Sequence, residues 1–91
     1  MNKNYYFDAQ VFDLASFRLI DNLRDTFGPN LAKMPEDQLF ERAMQAFERV
    51  ANGLITNKLA MELETTKEDI EDSLIAQADE IVEEVVSRLC K

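Results

Sequence analysis

Apolar residues recur every three or four positions along most of this chain. From Phe12 to Phe27 the residues Phe12, Ala15, Ser16, Leu19, Ile20, Leu23 and Phe27 fall on one face of a helix turning about 100° per residue. Asp8 is placed to cap that helix, its carboxylate accepting from the free amides of the first turn, which predicts a helix over 8–27 preceded by an arm, 1–7, carrying Tyr5, Tyr6 and Phe7. Leu14 and Phe17 lie off the stripe, so a second helix or the aromatic arm is expected to cover them, with a partner surface as the alternative. Gly28, Pro29 and Asn30 end the helix, since glycine tolerates the left-handed conformation and proline stops propagation.

A second helix, 35–52, opens on Pro35, Glu36 and Asp37: proline loses no hydrogen bond in a first turn, and carboxylates suit the positive end of the helix dipole. Its stripe is Leu39, Phe40, Ala43, Phe47, Val50, Ala51 and Leu54. Continued further, the stripe would bury Lys58, so a break is expected between Asn52 and Asn57, where Gly53 weakens the helix. Leu59, Ala60 and Leu63 mark a short helical segment, 54–64. Thr65 and Glu68 have capping-box spacing and start a last helix, 66–89.

The apolar positions of this last helix are Ile70, Leu74, Ile75, Ala78, Ile81, Val82, Val85, Val86 and Leu89, a stripe wide enough for two neighbours. At about 1.5 Å per residue the helix is roughly 36 Å long, more than a small core requires. Within it Ile75, Ala78, Val82, Val85 and Leu89 keep the 3-and-4 spacing of a heptad seam and are the expected interface of a homodimer. The expected fold is therefore all-α: a single domain, 1–91, forming a small bundle of three to four helices with a long C-terminal helix, paired as a dimer.

Composition narrows this picture further. Two glycines and two prolines in 91 residues are too few for the closely spaced turns of an all-β or α/β fold. With 46% hydrophobic and 31% charged residues, the chain is too apolar for a disordered acidic linker. The N-terminal MNKNYYFDAQ lacks the apolar stretch of a signal peptide, and no run approaches a membrane span, so a soluble cytoplasmic protein is expected. Cys90 is the sole cysteine, which excludes an internal disulfide and a cysteine metal cluster; a bystander thiol is expected.

Charge changes the picture most. Residues 62–91 hold ten of the eighteen carboxylates and three of the ten basic groups, and the chain carries a net charge of −8. The same segment has apolar residues at helical spacing along its whole length, which marks it as a folded surface rather than a tail; the residues expected on that surface are Glu68, Asp69, Glu71, Asp72, Asp79, Glu80, Glu83 and Glu84. Such a face attracts cationic grooves and imitates rows of nucleic-acid phosphates. These eight residues are the candidate partner-binding surface, and the expected partner is a larger protein, basic or nucleic-acid-binding. The plainer role of a charged face, keeping a small protein soluble, uses the same residues.

The segment LAMELETTKEDIEDSL, 59–74, resembles a helix-turn-helix in its spacing. Ala60 takes the small crossing position, Thr65 and Thr66 the turn, and Ile70 the second core position, whereas Glu64 replaces the usual turn glycine and Ser73 an apolar residue. The would-be recognition helix presents Glu68, Asp69, Glu71 and Asp72 against a lone Lys67, the wrong sign for phosphates. A DNA-binding regulator using Lys3, Arg18, Arg24 and Lys33 is the alternative, and a structural subunit of an assembly a second one.

Catalytic chemistry lacks its parts. No histidine is present, so Glu-x-x-His di-metal sites and nucleophile triads are missing, and neither an EF-hand nor a glycine-rich phosphate loop occurs. No enzyme, metal or cofactor is expected. Met44 is expected to fill the core near Phe40 and Phe47, with Met34 and Met61 as other flexible apolar residues, while Arg42, Arg49 and Lys58 are expected to pair with Glu41, Glu48 and Glu62. The functional expectation is a small acidic protein-binding regulator, an inhibitor, adaptor or antitoxin-like factor, acting through its C-terminal helix.

Overall fold

Four helices follow one another: α1 (Lys3–Phe27), α2 (Glu36–Leu54), α3 (Asn57–Glu62) and α4 (Lys67–Leu89), with a 3₁₀ segment, Gly28–Lys33, between the first two. The computed structural model describes the backbone of residues 3–90 and the side chains of 6–90. The expected all-α bundle is what forms, with no strand among the described residues.

The long helices set the dimensions. Twenty-five residues of α1 rise about 37 Å at 1.5 Å each, close to the 41 Å long axis of a body 25 Å and 15 Å across. Asp8, near the start of α1, bonds to Ser73 and Gln77, near the start of α4, so these two helices run side by side in the same direction. The first turns of α2 border the last turns of α4, so α2 runs antiparallel to it. Helix α3 carries the chain across the end of the bundle.

α1 begins earlier than capping by Asp8 predicts. Residues 3–7 are helical rather than an arm, and Asp8 sits inside the helix, where its carboxylate accepts from Ser73. Residues 1 and 2 and the side chain of Tyr5 lie outside the described residues. The buried face of α1 is rotated slightly from the expected stripe, enclosing Val11, Ala15, Ser16, Leu19, Ile20 and Leu23 while Phe12 and Phe27 stay partly covered. Phe17 stays 67% exposed, without the cover expected for it.

The first exit is by glycine: Gly28 holds φ +55°, the left-handed geometry that lets a chain leave a helix at little steric cost. α2 starts one residue after Pro35 and runs to Leu54, past Gly53. The expected break falls at Ile55 and Thr56, and Thr56 opens α3 by accepting from the Leu59 amide at 3.1 Å. The break leaves Lys58 in solvent, as the hydrophobic register demanded.

One apolar core joins all the elements. Leu19 and Leu23 of α1, Leu39 and Ala43 of α2, Ala60 of α3 and Ile70, Leu74, Ile81, Val82 and Val85 of α4 are at or near full burial, with Leu31 contributed by the 3₁₀ segment. Each large side chain among them contributes about 1.5–3 kcal/mol relative to exposure. The wide stripe of α4 is thus used within the chain, by α1 on one flank and α2 on the other.

That packing corrects the heptad seam. Val82 and Val85 are fully enclosed in the single chain, Ala78 and Leu89 are half-buried, and Ile75 is 66% exposed. A hairpin core and a dimer seam share one spacing, and here the chain's own helices take it. Met44 is a second correction: it lies on the outer edge of α2 and is 41% exposed. The expected pairs of Arg42, Arg49 and Lys58 also do not form. Arg42 instead meets Gln45 at 3.5 Å, and the ion pair among the described residues is Arg88 Nε with Glu84 Oε2 at 2.7 Å.

Candidate protein-binding surface

The turn between α3 and α4 aims the acidic helix. The Thr65 amide donates to the Ala60 carbonyl at 2.8 Å and the Glu64 amide to the Met61 carbonyl at 3.2 Å, the paired bonds of a Schellman ending. Glu64 takes the position that favours glycine, with φ +56°, the one non-glycine residue of positive φ among those described. A glutamate thus holds the conformation that glycine takes most easily.

α4 then starts one residue later than Thr65–Glu68 capping implies. Thr66 is the cap, its Oγ1 accepting from the Asp69 amide at 3.2 Å, while Thr65 Oγ1 donates to Asp69 Oδ2 at 3.0 Å. Asp69 is thus partly engaged in the turn. Ser73, where an apolar residue belongs, is buried and satisfied: its Oγ donates to Asp8 Oδ1 at 2.7 Å, and Gln77 Nε2 donates both to the Asp8 carbonyl at 2.9 Å and to Ser73 Oγ at 3.1 Å. This network pins the start of α1 to α4. Nothing in the helical periodicity signalled it, because its partners are more than sixty residues apart.

Of the eight carboxylates expected on the surface, Glu68, Asp69, Glu71, Asp72, Asp79, Glu80 and Glu83 are exposed. Glu84 is half-buried and neutralised by Arg88. Glu68, Asp72, Asp79 and Glu83 follow steps of four, seven and four residues, which places them along one side of the helix. Exposed Ile75 stands between Asp72 and Asp79 on that side, an apolar point inside an acidic row.

Beside the first turns of α4 lies an open cleft of about 690 Å³. Tyr6, Phe7 and Gln10 of α1 form one wall; Glu64, Thr65, Asp69, Asp72 and Ala76 form the other. Among the described residues no lysine or arginine lines it. The expected site lacks this aromatic wall, because Tyr6 and Phe7 belong to a helix parallel to α4 and not to an arm. Among the described residues no three acidic or thiol groups are arranged to hold a metal ion, and no helix is long and apolar enough to cross a membrane.

No known protein family matches this chain, and neither a curated protein nor a solved structure shows significant similarity to it.

Proposed function

We propose that this chain is a small, acidic, non-enzymatic regulator that captures a cationic protein on the exposed side of α4. The observation that carries this reading is a helix bearing Glu68, Glu71, Asp72, Asp79, Glu80 and Glu83 without an ion-pair partner for any of them among the described residues. Self-repulsion along such a helix costs stability, and a cationic partner removes it while gaining association rate from the field. The cleft beside it, aromatic on one side and acidic on the other, suits an arginine or lysine side chain, which gains from both a carboxylate and a ring face.

A helix-turn-helix role draws support from the Schellman turn alone, because that geometry is also a general packing solution. Affinity capture from source-cell lysate at low and moderate salt, with mass spectrometry of the retained proteins, tests both. Capture of a basic protein that is lost with salt is expected, since the Debye length shrinks from roughly 10 Å at 0.1 M to 3 Å at 1 M. Replacing Glu68, Glu71, Asp72 and Glu80 by lysine should abolish it; Asp69 is spared because it belongs to the cap. Retained capture in that variant would refute the proposal, and a gain of DNA binding with no protein partner would favour the helix-turn-helix role.

A further inference from the structure

On the opposite flank of α4 from Asp8, the first turns of α2 and the last turns of α4 enclose a groove of about 470 Å³ lined by Glu36, Phe40, Glu83, Val86, Ser87 and Cys90. Phe40 is 36% exposed, and Met44, one turn along the same ridge of α2, is also open to solvent. On α4 the residues Ile75, Asp79, Val86 and Cys90 follow steps of four, seven and four, so exposed Ile75 continues the groove's α4 bank toward the middle of the bundle. From Ile75 to Cys90 this bank is about 22 Å long at 1.5 Å per residue. Its floor is apolar, and each bank carries a carboxylate, Glu36 on α2 and Glu83 on α4.

We infer that this α2–α4 groove seats a cationic amphipathic helix of the partner, with apolar side chains against Phe40, Met44 and Ile75 and lysine or arginine beside Glu36, Asp79 and Glu83. The inference rests on the capture of a cationic protein proposed above and adds to it both the shape of the ligand and a second helix, α2, as half of the site. Three features select this occupant. Both walls are helices whose backbone groups are already bonded internally, so an extended segment would find no edge to pair with, whereas a helix brings its own hydrogen bonds. An uncharged apolar helix would desolvate carboxylates on both banks without compensation. A second copy of this chain, with a net charge of −8, would set carboxylate against carboxylate.

The test uses a synthetic peptide of about four helical turns with leucine on one face and lysine elsewhere, and a scrambled peptide of the same composition. Amide chemical shifts of the full chain are followed during titration at low and moderate salt. Saturable shifts are expected at Phe40, Met44, Ile75, Asp79, Val86 and Cys90, with the scrambled peptide bound more weakly. Phe40→Ser with Met44→Ser should weaken binding about tenfold at both salts, as loss of central apolar anchors does. Glu36→Gln with Glu83→Gln should weaken it at low salt, with the deficit shrinking as salt rises. All four positions face solvent, so circular dichroism should show unchanged helix content.

Equal binding of the scrambled peptide, shifts confined to the Tyr6 cleft and Glu68–Asp72, or indifference to the Phe40 and Met44 changes would overturn the inference. So would concentration-dependent dimerisation that broadens the groove amides without peptide. The lysate experiment with the four lysine substitutions leaves the groove intact, so failure of the acidic-surface proposal and failure of the groove are read separately.

Discussion

Replacing Glu64 by glycine should stabilise this protein, although it removes a side chain and enlarges the conformational freedom of the unfolded chain. Glu64 holds φ +56° at the end of α3, where the Cβ of an L-residue crowds the following carbonyl at a cost of about 1–2 kcal/mol. Glycine escapes that crowding, and its greater unfolded-state entropy takes back about 0.4–1 kcal/mol. The expected net gain is about 0.5–1 kcal/mol, or roughly 2–8 °C in melting temperature for a domain of this size. Removing a carboxylate from an acidic segment could give a gain of its own, so Glu64→Ala is the control: it loses the same charge but keeps Cβ and the strain. Urea unfolding followed by circular dichroism should place alanine within about 0.5 kcal/mol of the parent and glycine above both. If alanine matches glycine, the effect is electrostatic and the strained turn contributes nothing. If glycine falls below the parent, the Schellman assignment of Leu63, Glu64 and Thr65 is wrong.

The remaining predictions concern the interior and the acidic face. Ser16 Oγ is buried with no hydrogen-bond partner, so Ser16→Ala should raise stability by about 0.5–1.5 kcal/mol through relief of desolvation and better helix propensity; a loss in urea unfolding would show that the hydroxyl is bonded in solution. Asp8→Ala should cost about 1–3 kcal/mol, because the buried Ser73 hydroxyl loses its acceptor, and hydrogen exchange at the start of α1 should accelerate with it; unchanged exchange would remove the network's role in fixing that end. Ile75→Ser should change stability by less than about 0.5 kcal/mol while Val82→Ala costs about 2 kcal/mol or more. Equal sensitivity, or a dimer dissociated by the Ile75 change in sedimentation, would restore a seam on α4. Added sodium chloride should raise the melting temperature of the free protein by screening its carboxylates, and a flat or falling dependence would mean their mutual repulsion is negligible.

The helices and their breaks were legible in the sequence because they rest on local signals. Gly28 with Pro29, Pro35 with Glu36, and the register conflict at Lys58 each act within a few residues, and each marks a real boundary to within about two residues. What periodicity cannot encode is which neighbour covers an apolar stripe. Val82 and Val85 look the same facing a second chain or facing α1 and α2, and here the chain's own helices enclose those two. Asp8 resembled a cap because its short carboxylate does the same chemistry at a helix start and in a tertiary hydrogen bond; its true partners, Ser73 and Gln77, become visible only when α1 lies parallel to α4. For the candidate site the exposed acidic row was legible, since charges between apolar positions must face outward. The walls completing it, Tyr6 and Phe7 on one flank and Phe40 and Met44 on the other, were not, because they come from other helices.

Two demands on α4 explain the distribution of its residues. The helix must be apolar on two flanks to hold α1 and α2 together, which leaves its charges to the rest of its circumference, with Glu68, Asp72, Asp79 and Glu83 in one row. With Arg88 committed to Glu84, no ion pair among the described residues offsets Glu68, Asp72, Asp79 and Glu83, each within a few turns of the next. Solubility alone would be served as well by mixed signs, which avoid the repulsion. A single sign is useful when the opposite sign arrives on another molecule, because the free protein then carries a repulsion that binding removes and the partner gains affinity from its relief. On the proposed capture, salt should act in opposite directions on the two states, steadying the free chain and loosening the complex. On the same proposal the exposed Ile75 within the acidic row would set where the partner stops, charge having brought it in.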